Sequence, residues 1–155
     1  MKTTADDPAP DAKPTRLRAL PSWLITHIAV PAHRLASEAF AATGAARYHY
    51  ALLAALEEFG PSSQAALGRR CSIDRSYVVG AVNELVEKGY VERVQDAADR
   101  RRNTVTITAA GVRQLERLDS ALATTQDALL GPLSPAEREQ LRGLLERVLD
   151  HQAGQ

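Results

Sequence analysis

At 155 residues with 45% hydrophobic content, the chain is sized for one domain, or one domain with a helical extension, and has ample material for a core. Its formal charge is zero, so no global basic signal points to nucleic acid and the placement of charge has to be read instead. A single cysteine excludes an intrachain disulfide, no apolar run approaches membrane-spanning length, and the Pro-, Asp- and Thr-rich start lacks a signal-peptide core, so a cytoplasmic protein is expected.

Residues 1–18 are polar, Pro-interrupted and without periodicity, and are expected to form a disordered arm. Up to Thr15 they hold two Lys against three Asp, which argues against a basic arm on DNA. Ser22 is a candidate N-cap for a helix running to about Thr43, with Gly44 as its stop. Leu24, Ile28, Leu35 and Ala39 form its apolar stripe, and the segment 19–46 is read as a dimerisation helix. Pro31 removes the backbone bond to the His27 carbonyl, so a kink or a split into two helices is expected. Trp23 and His27 lie one turn apart, either as an interface aromatic beside a solvated or hydrogen-bonded His, or as part of an effector pocket.

A second helix is expected over Arg47–Phe59, with Tyr48, Leu52, Ala55, Leu56 and Phe59 inward and Gly60-Pro61 ending it. Arg47 and His49 at its start are either solvated or able to grip an aromatic carboxylate, Arg as a fork and His as a donor. Ser62 or Ser63 caps a short third helix, QAALGRRC. Arg69 and Arg70 on it are either exposed or in reach of phosphates.

The next stretch carries the sharpest pattern. In DRSYVVGAVNELVEKG, Val78, Ala81, Val82 and Leu85 recur at helical spacing and face a core. On the opposite side Ser76, Val79, Gly80 and Asn83 make a small, mostly uncharged face, flanked by Arg75 and Tyr77. A two-stranded ribbon follows, YVERVQDAADRRRNTVTIT, whose tip holds Arg100, Arg101 and Arg102 in a row. From Arg69 to Asn103 there are eight Lys/Arg against six Asp/Glu, with basic residues gathered at the tip. A lean helix suits the major groove, and a cationic tip suits phosphates or a narrow minor groove.

Thr108 opens a long helix bearing Val112, Leu115, Leu118, Leu122 and Leu129, broken by Gly131-Pro132. Ser134-Pro135-Ala136-Glu137 is a capping box with Pro at the first helical position. The last helix carries Leu141, Leu144, Leu145, Val148 and Leu149 on one stripe. These two helices, 109–151, need a covering surface, supplied by a partner subunit, by the first helix, or by both.

The run Asp99-x-Arg101, five residues, Ile107-Thr108, then Gly111 resembles the wing signature of the MarR family of bacterial regulators, with Ile107 where the family usually has Leu. Ile73-Asp74-Arg75-Ser76 and Leu85-Val86-Glu87-Lys88-Gly89-Tyr90-Val91 resemble the family's turn and recognition-helix frame, and a looser likeness extends from about Trp23 to His151. The resemblance implies a mainly α fold with a small β-wing: a dimeric winged helix-turn-helix over 47–108 that usually represses transcription and leaves DNA on binding a small molecule or on oxidation. It places an effector pocket where the first helix meets the DNA-binding lobe, making Trp23, His27, Arg47 and His49 candidate ligands of a small aromatic or phenolic acid. Oxidant-sensing relatives carry their reactive Cys near the start of the first helix. Cys71 instead stands where the family places an apolar residue, and is read as a small core hydrophobe.

Two positions depart from the family. Gly80 stands where many members have Arg, and Val79 where Thr or Ser is common. Asn83 then has the donor–acceptor pair that matches an adenine edge, and Val79 suits a thymine methyl. Asp99 is expected to orient Arg101 toward the minor groove, with Arg100 and Arg102 on phosphates. No Gly-rich phosphate loop, GxSxG elbow or HExxH motif is present, and His27, His33, His49 and His151 with one Cys lack metal-ligand spacing. No enzyme activity, metal or cofactor is expected. The expected function is regulation of transcription by binding a pseudo-palindromic operator in double-stranded DNA as a homodimer. The rival is a protein-interaction module on the same scaffold, for which three arginines at a hairpin tip have no evident use.

Overall fold

The computed structural model describes residues 11–95, 97–99 and 103–154. Its elements in chain order are α1 (Thr15–Arg18), α2 (Pro21–Ala42), α3 (His49–Phe59), β1 (Ser62–Ser63), α4 (Gln64–Cys71), α5 (Arg75–Glu87), β2 (Val91–Gln95), β3 (Asn103–Ile107), α6 (Ala109–Leu129) and α7 (Pro135–Ala153). By contacts the chain divides into two units, Met1–Arg34 and Leu35–Gln155. No helix among the described residues is long and apolar enough to cross a membrane.

In the first unit, the segment expected to be wholly disordered carries one helical turn, α1; residues 1–10 of that arm lie outside the described residues. Pro14, at φ −54°, precedes the turn and lacks the N–H that a helix start leaves unpaired. The α2 helix is not split at Pro31. Near its start the Trp23 and His27 rings stack at 3.8 Å, and His27 Nδ1 donates to the Trp23 carbonyl at 2.8 Å. Leu24, Ile25, Ile28 and Val30 on this helix are exposed.

The second unit holds the core. Leu52, Leu53 and Leu56 of α3, Leu67 of α4, Val78, Val82 and Leu85 of α5, Val91, Val105 and Leu118 are almost wholly removed from water. Burying each such side chain stabilises by roughly 1.5–3 kcal/mol relative to leaving it exposed. The caps follow the sequence: Ser63 accepts from Ala66 N at 3.2 Å, Asp74 from Ser76 N at 2.9 Å, and Thr108 from Gly111 N at 3.1 Å. Ser134 and Glu137 close the full capping box at α7. Gly44, Gly60 and Gly89 follow α2, α3 and α5 with positive φ, where only glycine is unstrained. Ser72 adopts the same left-handed region at φ 52° in the turn between α4 and α5, a conformation that costs a non-glycine residue about 1–2 kcal/mol.

The expected two-stranded ribbon is a three-stranded antiparallel sheet in the order β1-β3-β2. Val91 pairs with Ile107, Arg93 with Val105 and Gln95 with Asn103, so the hairpin folds about the tip. The additional strand is the dipeptide Ser62–Ser63, registered on Val105 and Thr104. It ties the start of α4 to the hairpin.

At its other end the hairpin is locked to α6. Thr108 N donates to Tyr90 O at 3.0 Å, and Thr108 Oγ1 donates to Gly89 O at 2.6 Å. A Cβ on Gly111 would stand 2.1 Å from Tyr90 O, so only glycine permits this approach. Tyr50 Oη donates to Asp119 at 2.9 Å and the buried Gln114 donates to Thr43 O at 3.1 Å, fastening α6 to α3 and to the end of α2.

A candidate nucleic-acid interface and the cleft beside it

The helix α5 divides as its sequence requires. Val78, Ala81, Val82 and Leu85 are buried in the lobe, whereas Arg75, Ser76, Tyr77, Val79, Gly80 and Asn83 are exposed together. Asp74 caps the helix and also accepts from Ser76 Oγ at 2.6 Å; these bonds from Ser76 hold its carboxyl below the usual carboxylate range. The Ser76 hydroxyl proton is therefore committed to Asp74, which leaves its oxygen to accept. A Cβ on Gly80 would meet nothing within 4 Å, so the helix backbone is bare there.

The hairpin tip lies beyond β2 and β3. Asp99 is half-buried on it, while Arg100, Arg101 and Arg102 lie outside the described residues, so the expected Asp99–Arg101 pairing is not described. Sequence reasoning missed another basic residue, on β2. Arg93 of β2 donates through Nε to Gln64 Oε1 at 3.3 Å and through Nη2 to Asn83 Oδ1. One guanidinium thus joins β2, the first residue of α4 and the exposed face of α5. The alternation of the strand puts Arg93 on one of two faces, but its partners, 29 and 10 residues away, carry no local signal.

Beside α5 is a cleft of about 200 Å³ lined by Ala46, Arg47, Tyr48, Ser76, Tyr77, Gly80, Ala81 and Glu84. The Arg47 guanidinium lies 5.1 Å from the centre of the Tyr48 ring, and the Tyr48 and Tyr77 rings are 5.6 Å apart. These three side chains form a continuous cation–aromatic series from the start of α3 to the exposed face of α5. The cleft is thus lined both by the start of α3 and by α5.

His49, a candidate ligand residue, is differently employed. It is 1% exposed; its Nδ1 accepts from Ala46 N at 3.1 Å, so Nε2 carries the proton and donates to Glu84 at 3.0 Å. Both ring nitrogens are used by the fold, and neither is left for a ligand. Burial pushes its pKa below the ordinary value against the opposing pull of Glu84, which favours the neutral ring. Trp23 and His27, in the first unit, face each other; the four residues expected to line one pocket are therefore described only as two separate groups. Cys71 packs against the core with its thiol donating to Ala51 O at 3.4 Å, and burial pushes the thiol pKa up. That placement agrees with a small hydrophobe and leaves little thiolate for redox chemistry.

Comparison with known proteins places this arrangement. Residues 43–102 match the sequence model of the MarR family. A protein of Thauera aromatica assigned as a transcriptional regulator of the hcr operon is 37% identical over 99 residues, covering 64% of this chain and 60% of that protein. The transcriptional repressor NicR of Pseudomonas putida is 30% identical over 101 residues, covering 65% and 64% respectively. These matches thus span a little under two thirds of the curated relatives. A solved structure from Pseudomonas aeruginosa, assigned as a transcriptional regulator, superposes with a TM-score of 0.71 at 33% identity, over 86% of this chain and 99% of that one.

Proposed function

This chain belongs to the MarR family of transcriptional regulators, and we propose that it is a dimeric, sequence-specific binder of double-stranded DNA that represses transcription until a small aromatic or phenolic acid releases it. The observation that carries this reading is the exposed face of α5, small and uncharged at Ser76, Val79, Gly80 and Asn83, set beside a hairpin whose tip sequence is Arg100-Arg101-Arg102. The winged unit, 47–108, is the DNA-binding part. The segments 19–46 and 109–151 are dimerisation helices, supported by the exposed apolar residues of α2 and α7. A two-fold dimer presents two copies of α5 and calls for a pseudo-palindromic operator.

The reading divides labour between helix and tip, and two substitutions separate them. Arg102→Ala removes a phosphate contact; it weakens all duplexes alike and shallows the salt slope of binding by about one. Asn83→Ala costs about 1–3 kcal/mol on the cognate operator and relaxes preference at one base pair. Salt-titrated binding of both variants to operator and scrambled duplexes checks the assignment. An unchanged ratio of the two affinities in Asn83→Ala removes Asn83 from the reading face, and salt-independent binding favours a protein-interaction module.

For the effector, Arg47 is the residue that remains available in the cleft, with Tyr48 and Tyr77 offering ring faces to an aromatic acid. Glu84 in the same cleft disfavours an anion, so the carboxylate is expected at the Arg47 end. A ligand seated there releases DNA only if it favours a placement of Tyr77 and α5 unsuited to the groove. Salicylate-like acids at millimolar concentration should displace a labelled operator from the wild type and not from Arg47→Ala. No displacement from the wild type rules out this class of effector.

A further inference from the structure

Arg93 bears on which base Asn83 reads. A guanidinium has only N–H donors, so the Asn83 atom facing it must be the carbonyl oxygen Oδ1. The same guanidinium also donates through Nε to Gln64 Oε1 at 3.3 Å. The ladder fixes its base: Arg93 pairs with Val105, which also pairs with Ser62, two residues before Gln64. The orientation of the Asn83 carboxamide is thereby set by two elements outside its own helix. Its Nδ2 hydrogens are directed away from the guanidinium, and Asn83 remains exposed.

Asparagine recognises adenine by doing two things at once: Oδ1 accepts from the N6 amino group while Nδ2 donates to N7. Here Oδ1 already accepts from a cation, which draws electron density from it and blocks one of its approaches. The donor half of the amide is left. In the major groove, paired acceptors lie on guanine at N7 and O6, whereas thymine offers a single O4. We propose that Arg93 is a specificity-determining positioning residue, which holds the Asn83 amide with its N–H donors outward and so turns Asn83 from an adenine reader into a reader of guanine. Arg93 supplies part of the discrimination that an arginine at Gly80 would otherwise provide, without entering the groove itself. The inference rests on the assignment of α5 as the reading helix.

The test is selection of duplexes from a pool randomised across the operator, performed with the full-length protein for the wild type, Asn83→Ala, Arg93→Met and the double variant. The position at which Asn83→Ala loses preference identifies the base pair that Asn83 contacts. At that position the wild type should select G·C, and Arg93→Met, which keeps the aliphatic stem and removes the donors, should move the preference toward A·T by about tenfold. Preferences elsewhere should stand, which also shows that the variant is folded. In the double variant, loss of Arg93 should add nothing at that position. If Arg93→Met leaves the preference unchanged, or if the wild type selects A·T there, the role given to Arg93 is wrong while the reading face survives. If Asn83→Ala changes preference at no position, the reading face falls and the proposal falls with it.

Discussion

The helices α5 and α7 carry the same kind of apolar stripe and meet opposite fates. In α5, Val78, Ala81, Val82 and Leu85 are at most 8% exposed, covered by α3, α4 and the sheet. In α7, Leu144, Leu145, Val148 and Leu149 remain 45–68% exposed, and no residue of the helix is buried. Both helices are capped by side chains, so local sequence specifies both equally well. The difference lies in where the covering surface comes from. A stripe covered by its own chain completes a fold. A stripe left open on a well-capped helix asks for a second surface, and for α7 the proposed surface is another copy of this chain.

The largest expected effect follows from that difference. Leu145→Glu with Leu149→Glu places charge on the open stripe of α7 without touching the core. The wild type should scatter light as a dimer at low micromolar concentration, and the variant as a monomer with operator binding lost. A wild-type monomer that is stably folded, or a variant that still dimerises, erases the contrast between the two helices.

The next effect sharpens the other half of the comparison, the self-sufficiency of the winged lobe. Gly111→Ala drives a Cβ to 2.1 Å from Tyr90 O, and that carbonyl cannot retreat without stretching its bond from Thr108 N. A loss of about 3 kcal/mol is expected from such overpacking. Denaturant melts at fixed protein concentration measure it. A smaller loss would show that the junction of hairpin and α6 is more pliable than its hydrogen bonds indicate.

A pH effect isolates one tie between α3 and α5. His49 is buried and held toward the neutral form, with Glu84 of α5 and Lys88 just after it the charged groups bearing on it. Its folded pKa lies below the ordinary 6.5, so the unfolded chain takes up the proton first as pH falls. Its contribution to stability is complete above about pH 6.5, declines as pH drops from there toward the folded value, and then levels off. Protonation also puts a hydrogen on Nδ1, against the Ala46 N–H that this nitrogen accepts. His49→Gln should flatten the fall in stability seen by urea melts between pH 7 and pH 5. An equal fall in both proteins would assign the effect to carboxylates instead.

These cases also show what could be read from the chain before its structure. Both faces of α5, the helix starts at Thr108 and Ser134, and the stops at Gly44 and Gly60 were legible, because each is a pattern within about one helix turn or at one helical period. The strand β1 was not. Ser62–Ser63 has neither alternation nor β-branched residues, and it is a strand only because Val105 and Thr104 stand opposite. The site divides in the same way. The exposure of Ser76, Val79, Gly80 and Asn83 follows from the buried side of the same helix. The bond from Arg93 to Asn83 and that from His49 to Glu84 depend on tertiary approach, and no spacing rule finds them. A helix start is usually exposed, so the sequence offers His49 as a solvated or ligand-binding residue, whereas here α3 begins against α5.

The smallest expected effect addresses the two faces of α5 itself. Glycine inside a helix costs about 0.8–1 kcal/mol relative to alanine, and at Gly80 a Cβ would meet nothing within 4 Å. On stability alone alanine is the better residue, so Gly80→Ala should stabilise the fold by roughly 0.5–1 kcal/mol. Retaining glycine on an open face makes sense if something outside the chain approaches the backbone there. The proposed approach is by the edges of base pairs, and a methyl group at that point would hold the helix off the groove. The same substitution should therefore raise the denaturation midpoint and weaken operator binding, opposite signs from one methyl group. Melts and duplex titrations on the same preparation read both. A stabilised variant with unchanged operator affinity would mean that this stretch of α5 faces water rather than DNA, and the reading face would have to be moved toward Arg75 and Tyr77.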